Sequence, residues 1–241
     1  MNFLRYARAF TLIELLVSIA VITILAAIGF SGYSSYIKSA EKGREVHAGR
    51  ALMAGFHAYA ADNGGRLIKA MDPKPGKVLD DKGKPVMSHA AKRWPWRLAP
   101  YIDYSINILM VNNQKAAPPD DSMYSYLVTV FTTFGMNGTY VGGKYGTPVS
   151  PDRGNKSVVT NITQVNEPSK LVVFAISKME GAEHRGCFDV AGPETRGAVG
   201  EVDYRYNNKA VVAYFDGHVE LNSKQELSNT ERWNNFATKN N

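Results

Sequence analysis

Residues 8–30 read RAFTLIELLVSIAVITILAAIGF, and the position of one carboxylate in that stretch decides how the chain is built. From Leu15 to Ile37 there is no charged residue. A helix rising about 1.5 Å per residue over that length reaches roughly 35 Å, enough for the hydrocarbon layer of a bilayer. Glu14 sits at the edge of the run, four residues after Phe10 and five after the small residue Ala9. An ionisable group beside hydrocarbon is costly, and such groups normally have a partner and a function.

Ahead of the run lies MNFLRYARA, whose only charges are Arg5 and Arg8. The positive-inside rule keeps this end on the cytoplasmic side and places the bulk of the chain outside. A cleaved secretory signal competes with this reading, since AAIG at 26–29 supplies small residues after the apolar run. Glu14 weighs against it, because a disposable signal has no need of a carboxylate. Cleavage between Ala9 and Phe10 would instead give Phe10 an ammonium group at the start of the helix, on the same face as Glu14. Junction and acid then explain each other, with the cation matching Glu14 of its own chain or of a neighbour in an assembly.

The stretch AFTLIELLVSIAVITILAAI resembles the processing and assembly signal of type IV pilins and of the pseudopilins of type II secretion. The resemblance implies cleavage between Ala9 and Phe10 by a prepilin peptidase, N-methylation of Phe10, and Glu14 as the residue that guides subunits into a filament. Two positions depart from the usual pattern: Ala9 stands where glycine normally precedes the cut, and Gly29 and Gly32 stand near where many members have proline. Glycine costs a helix interior about 1 kcal/mol relative to alanine, so a soft point is expected at 29–32.

Beyond Ile37 a helical rhythm continues, with Val46, Met53, Phe56 and Ala60 near one face, and Asn63-Gly64-Gly65 supplies a stop. His47 and His57 lie along this helix without partners at ligand spacing. YAADNGGRLI at its end resembles a recurrent phrase of pilin-like chains. The expected organisation is a leader at 1–9, a transmembrane and assembly half of the helix at 10–37, its second half at 38–65, and a periplasmic head at 66–241.

The head opens on a basic stretch, 66–97, with nine Lys or Arg against three Asp. Prolines and glycines between 70 and 90 argue against regular structure there and for an exposed loop. KRWPWRLAPYI follows. Trp94, Trp96, Arg93 and Arg97 could stack on nucleobases or sugars, although the alternation of Trp94, Trp96, Leu98 and Tyr101 with polar or small residues favours packing against the head. For YSYLVTVFTTF, Tyr124 to Phe134, a buried strand and a short helix both remain open. Pro168 precedes an apolar run, Leu171 to Ile176, suited to a central strand.

Asp216-Gly217 reads as a two-residue hairpin turn within a hairpin at 211–222. Tyr214 would then face Val219 and Val212 would face Leu221, giving an apolar face to cover the helix. The unit resembles a prepilin-associated motif in which histidine precedes Asp-Gly with nine residues between them, with Tyr206 here in the histidine's place.

No phosphate loop, zinc-protease helix or nucleophile elbow is present in the sequence, and no enzyme activity or cofactor is expected. Cys187 is the only cysteine, so a disulfide within the chain is impossible. His184, Cys187 and Asp189 lie close in sequence but match no zinc spacing. Asp189, Asp203 and Asp216 could contribute oxygens to Ca²⁺, with Asp216 the candidate ligand, but they fit no defined calcium loop. A hydrophobic fraction of 44% with 21% charged residues is ordinary for a globular protein and suggests neither a disordered chain nor a multi-span membrane protein.

The expectation is therefore an α+β pilin-like protein, a long N-terminal helix packed on a small antiparallel sheet. It would be a filament subunit of the inner membrane, with a prepilin peptidase and other pilin-like subunits as partners. A membrane-anchored periplasmic module binding DNA or glycan through the basic stretch and the tryptophans is the alternative, and an exported hydrolase a more distant one.

Overall fold

The computed structural model describes residues 10–111, 123–143, 158–179, 186–193 and 200–235. Its longest element is helix α1, Leu12–Asp62. The chain divides into two compact units, Met1–Glu41 and Lys42–Asn241. In the first, the span Leu12–Gly29 is long and apolar enough to cross a membrane, and none of it is buried. Leu12, Ile22, Leu25 and Ile28 are each more than 60% exposed, an apolar surface of a size that soluble monomers rarely leave uncovered.

In the second unit the helix buries Glu45, Ala48, Leu52, Met53, Phe56 and Ala60. This three- and four-residue spacing is the stripe that a helix lays on a core. Val46 is only half-buried, so the buried face is centred on Ala48 and Leu52. The helix closes where Gly64 and Gly65 take positive φ angles of 64° and 81°. The N–H of Gly65 reaches back to the Ala60 carbonyl at 2.8 Å, which caps the last turn.

Five antiparallel strands form the sheet: β1 Phe134–Met136, β2 Val172–Met179, β3 Gly200–Val202, β4 Lys209–Tyr214 and β5 Val219–Ser223. Their order is β1-β2-β4-β5, with β3 paired to the last three residues of β2. β2 is the centre, and its first six residues are all buried because both of its faces are covered. Phe174 on β2 lies between Phe56 of α1, with ring centroids 5.9 Å apart, and Trp94, at 5.1 Å. Gly49 allows the close approach of α1, since a Cβ there would lie 3.3 Å from the Phe134 ring and 3.4 Å from Val219.

The open choice at Tyr124 resolves into a helix and a strand in succession. Tyr124–Val130 is a helix whose Tyr124 and Val128, one turn apart, are buried, and β1 starts at Phe134. The stretch 66–97 is also less uniform than its composition suggests. Residues 78–86 fold back on themselves, with Val86 N–H on the Val78 carbonyl and Asp80 Oδ1 accepting from the N–H groups of Lys82 and Lys84. Short helices at Ser88–Ala91 and Trp94–Leu98 then enter the core.

The terminal hairpin forms, but one residue out of the expected register. Ala213 pairs with Val219, Val212 with Glu220 and Val211 with Leu221. The turn has three residues, Phe215-Asp216-Gly217: Gly217 N–H bonds to the Tyr214 carbonyl at 2.9 Å, and Gly217 takes a φ of 93° as the bulge residue. Val219 and Leu221 keep their apolar face, yet their β4 companions are Val211 and Ala213 instead of Val212 and Tyr214. A two-residue turn does occur at Asn207-Asn208, with φ of 50° and 60° and paired bonds between Tyr206 and Lys209. Asparagine is among the few residues that accept this conformation.

Candidate functional site at the helix start

The helix begins at Leu12, so Phe10 and Thr11 precede it. Thr11 is its cap. The Thr11 N–H and hydroxyl both donate to Glu14 Oε2, at 2.9 and 2.8 Å, and the Glu14 N–H returns a bond to Thr11 Oγ1 at 3.2 Å. This reciprocal pattern is a capping box, and it satisfies backbone donors that a helix start leaves unpaired. The signal for it, Thr-x-x-Glu at 11–14, is present in the sequence but is overshadowed by the charge of Glu14. The same device recurs at the head of Lys224–Leu227, where Ser223 and Glu226 exchange equivalent bonds. There the Ser223 N–H and hydroxyl hold the Glu226 carboxyl below its usual range.

Two consequences follow for the site. Phe10 is 78% exposed and lies ahead of the helix, so it does not share a helical face with Glu14 as the four-residue spacing suggests. Glu14 Oε2 is committed to Thr11. A carboxylate held at a helix N-terminus by one oxygen is fixed in place and presents its other oxygen to an approaching cation. Ala9 and the leader 1–9 lie outside the described residues.

The candidate residues of the head are gathered by packing. Trp94 and Trp96 are fully buried, and their indole N–H groups donate to the carbonyls of Phe188 and Ser125, each at 2.7 Å. Neither ring has a face left for a base or a sugar. The Arg93 guanidinium lies over the rings of Tyr126 and Phe188, at 4.8 and 5.1 Å. Arg97 donates to the carbonyls of Lys69, Lys92 and Arg93. This segment is a core wedge with cation–π edges.

At the hairpin turn, Asp216 Oδ1 accepts from the N–H and the Nδ1–H of His218, at 3.1 and 2.5 Å. The His218 ring stacks on Tyr214, with centroids 4.4 Å apart. Burial pushes the Tyr214 hydroxyl above its ordinary pKa, and it donates to Asn222 Oδ1 while accepting from Arg232. His57 Nε2–H donates to the Phe215 carbonyl at 2.7 Å, a packing role. His47 is exposed, and Tyr206 serves the Asn207-Asn208 turn. Asp203 pairs with Arg205, Asp189 and Cys187 are buried, and His184 lies outside the described residues. Among the described residues, no three His, Cys, Asp or Glu side chains converge as a metal ion needs.

Residues 4–30 match the family model described as "Prokaryotic N-terminal methylation motif". No curated protein and no solved structure matches the chain. The motif lies at the start of a long apolar helix, and with the antiparallel sheet of the head this makes an α+β, pilin-like architecture.

Proposed function

We propose that this type IV pilin-like protein is a structural subunit of a filament, a type IV pilus or a type II secretion pseudopilus, assembled from the inner membrane. A prepilin peptidase cuts between Ala9 and Phe10, and Phe10 is then N-methylated. Leu12–Gly29 holds the chain in the membrane as a single span, with the C-terminal head in the periplasm, until the subunit is extracted. The observation that carries this reading is the coincidence of the methylation motif with an apolar span of which nothing is buried. Such a surface needs lipid or the helices of other subunits to cover it. Glu14, fixed by Thr11, then meets the ammonium group of a neighbouring Phe10, and this pairing sets the register between subunits.

The reading is tested in paired cells with and without the peptidase. The sheared filament fraction is expected to contain this chain only when the peptidase is present, while membranes of the deficient cells accumulate the uncut form. Equal amounts in filaments from both cells would reject it. A membrane-anchored module that holds DNA or glycan loses its main support, since the tryptophans assigned to the ligand are enclosed in the core.

A further inference from the structure

Tyr33 and Tyr36 are 63% and 70% exposed, the only tyrosines among the described large apolar side chains left open to this extent. Exposure is not the rule for tyrosines on α1: Tyr59 is half-buried, its ring edge-on to Tyr101 with centroids 5.5 Å apart. Three residues apart on a helix, Tyr33 and Tyr36 share one flank and are separated by about 4.5 Å along the axis. From Leu12 to Tyr33 the helix rises about 32 Å, close to the thickness of a bilayer's hydrocarbon layer, roughly 30 Å. Lys38, also exposed, comes about 3 Å beyond Tyr36. Along the axis the surface therefore passes from aliphatic to phenol to ammonium. This is the order in which a membrane passes from hydrocarbon to headgroup to phosphate, and phenols settle at the middle of it.

We propose that Tyr33 and Tyr36 are the outer lipid-headgroup anchor of the span, and that they set the depth at which Glu14 rests on the opposite side. The inference rests on Leu12–Gly29 crossing a membrane. Nineteen residues separate Glu14 from Tyr33, about 28 Å of helix, so the anchor holds the carboxylate at the inner boundary of the hydrocarbon and keeps it out of the midplane. At that level the Thr11 cap stays hydrated, and the junction before Phe10 stands at the membrane surface, where a peptidase can reach it. With the rings gone, the uncharged run on to Ile37 no longer has a fixed exit point, and the helix can slide or tilt.

The test uses the full chain in phosphatidylethanolamine–phosphatidylglycerol vesicles. Cys187→Ser and Leu25→Cys allow one nitroxide in the span, and its depth is read from collisions with oxygen and with a water-soluble nickel chelate. Tyr33→Ala with Tyr36→Ala is expected to move the nitroxide by several ångströms, up to about one helical turn of 5 Å, and Tyr33→Trp with Tyr36→Trp to leave it in place. An unchanged depth in the double alanine variant, with the nitroxide still in hydrocarbon, overturns the anchor and leaves the span standing. A nitroxide that reports water in the unaltered tyrosine background overturns the span and the anchor together.

Discussion

Glu14→Gln is expected to insert into the membrane and fold, yet to fall in the filament fraction by roughly a hundredfold, the scale on which losing one partner of a desolvated charge pair acts. Glutamine is the informative substitution because of the cap. It preserves the capping box, since glutamine at this position can still accept from the cap residue, and it removes only the charge. Thr11→Ala does the reverse, removing the cap hydroxyl and keeping the carboxylate. If Glu14 acts by matching a neighbour's ammonium group, the glutamine variant fails and the Thr11 variant assembles with a smaller loss. If Glu14 only starts the helix, the glutamine variant assembles and the charge-pairing account is wrong. Quantitative immunoblots of sheared and membrane fractions separate these outcomes, with membrane levels showing that insertion is intact.

Arg205→Ala is expected to lower the stability of the head by about 3–5 kcal/mol, the cost typical of breaking a buried ion pair from one side. Glu45, on α1, is fully buried, and Arg205 Nη1 lies 3.2 Å from its Oε1. The same guanidinium holds Asp203 through Nη2 at 2.7 Å and Nε at 2.9 Å. Removing it withdraws a cation from a carboxylate that is fully buried, at the place where the helix is fastened to the chain between β3 and β4. Glu45→Leu in the same chain is expected to recover most of the loss, because two well-packed apolar groups often replace a buried pair without penalty. Denaturant unfolding followed by fluorescence of the buried Trp94, Trp96 and Trp233 measures both effects. A loss below about 1 kcal/mol for Arg205→Ala would mark the pair as an ordinary surface contact.

The parts of the fold that can be read from the sequence are those set by long or local patterns. The apolar run after Glu14, the stripe through Met53, Phe56 and Ala60, the Gly64-Gly65 stop and the apolar strand at 171–176 all depend on residues close together in the chain. What cannot be read this way depends on distant partners. Whether Asp216-Gly217 makes a two- or three-residue turn depends on contacts distant in sequence, such as Val219 of β5 against Gly49 of α1, and a one-residue difference exchanges the faces of β4. The composition of KRWPWR fits a binding surface as well as a core, and only the carbonyls of Phe188 and Ser125, from elsewhere in the chain, settle its burial. At the helix start the charge of Glu14 is legible, whereas its bond to Thr11 is visible only if Thr-x-x-Glu is read as a cap.

Mass spectrometry of the N-terminal peptide from membrane-extracted protein tests the central claim most directly. A terminus at Phe10 carrying one methyl group is the predicted result. A terminus near Gly29, or an intact Met1 leader in peptidase-competent cells, would contradict it.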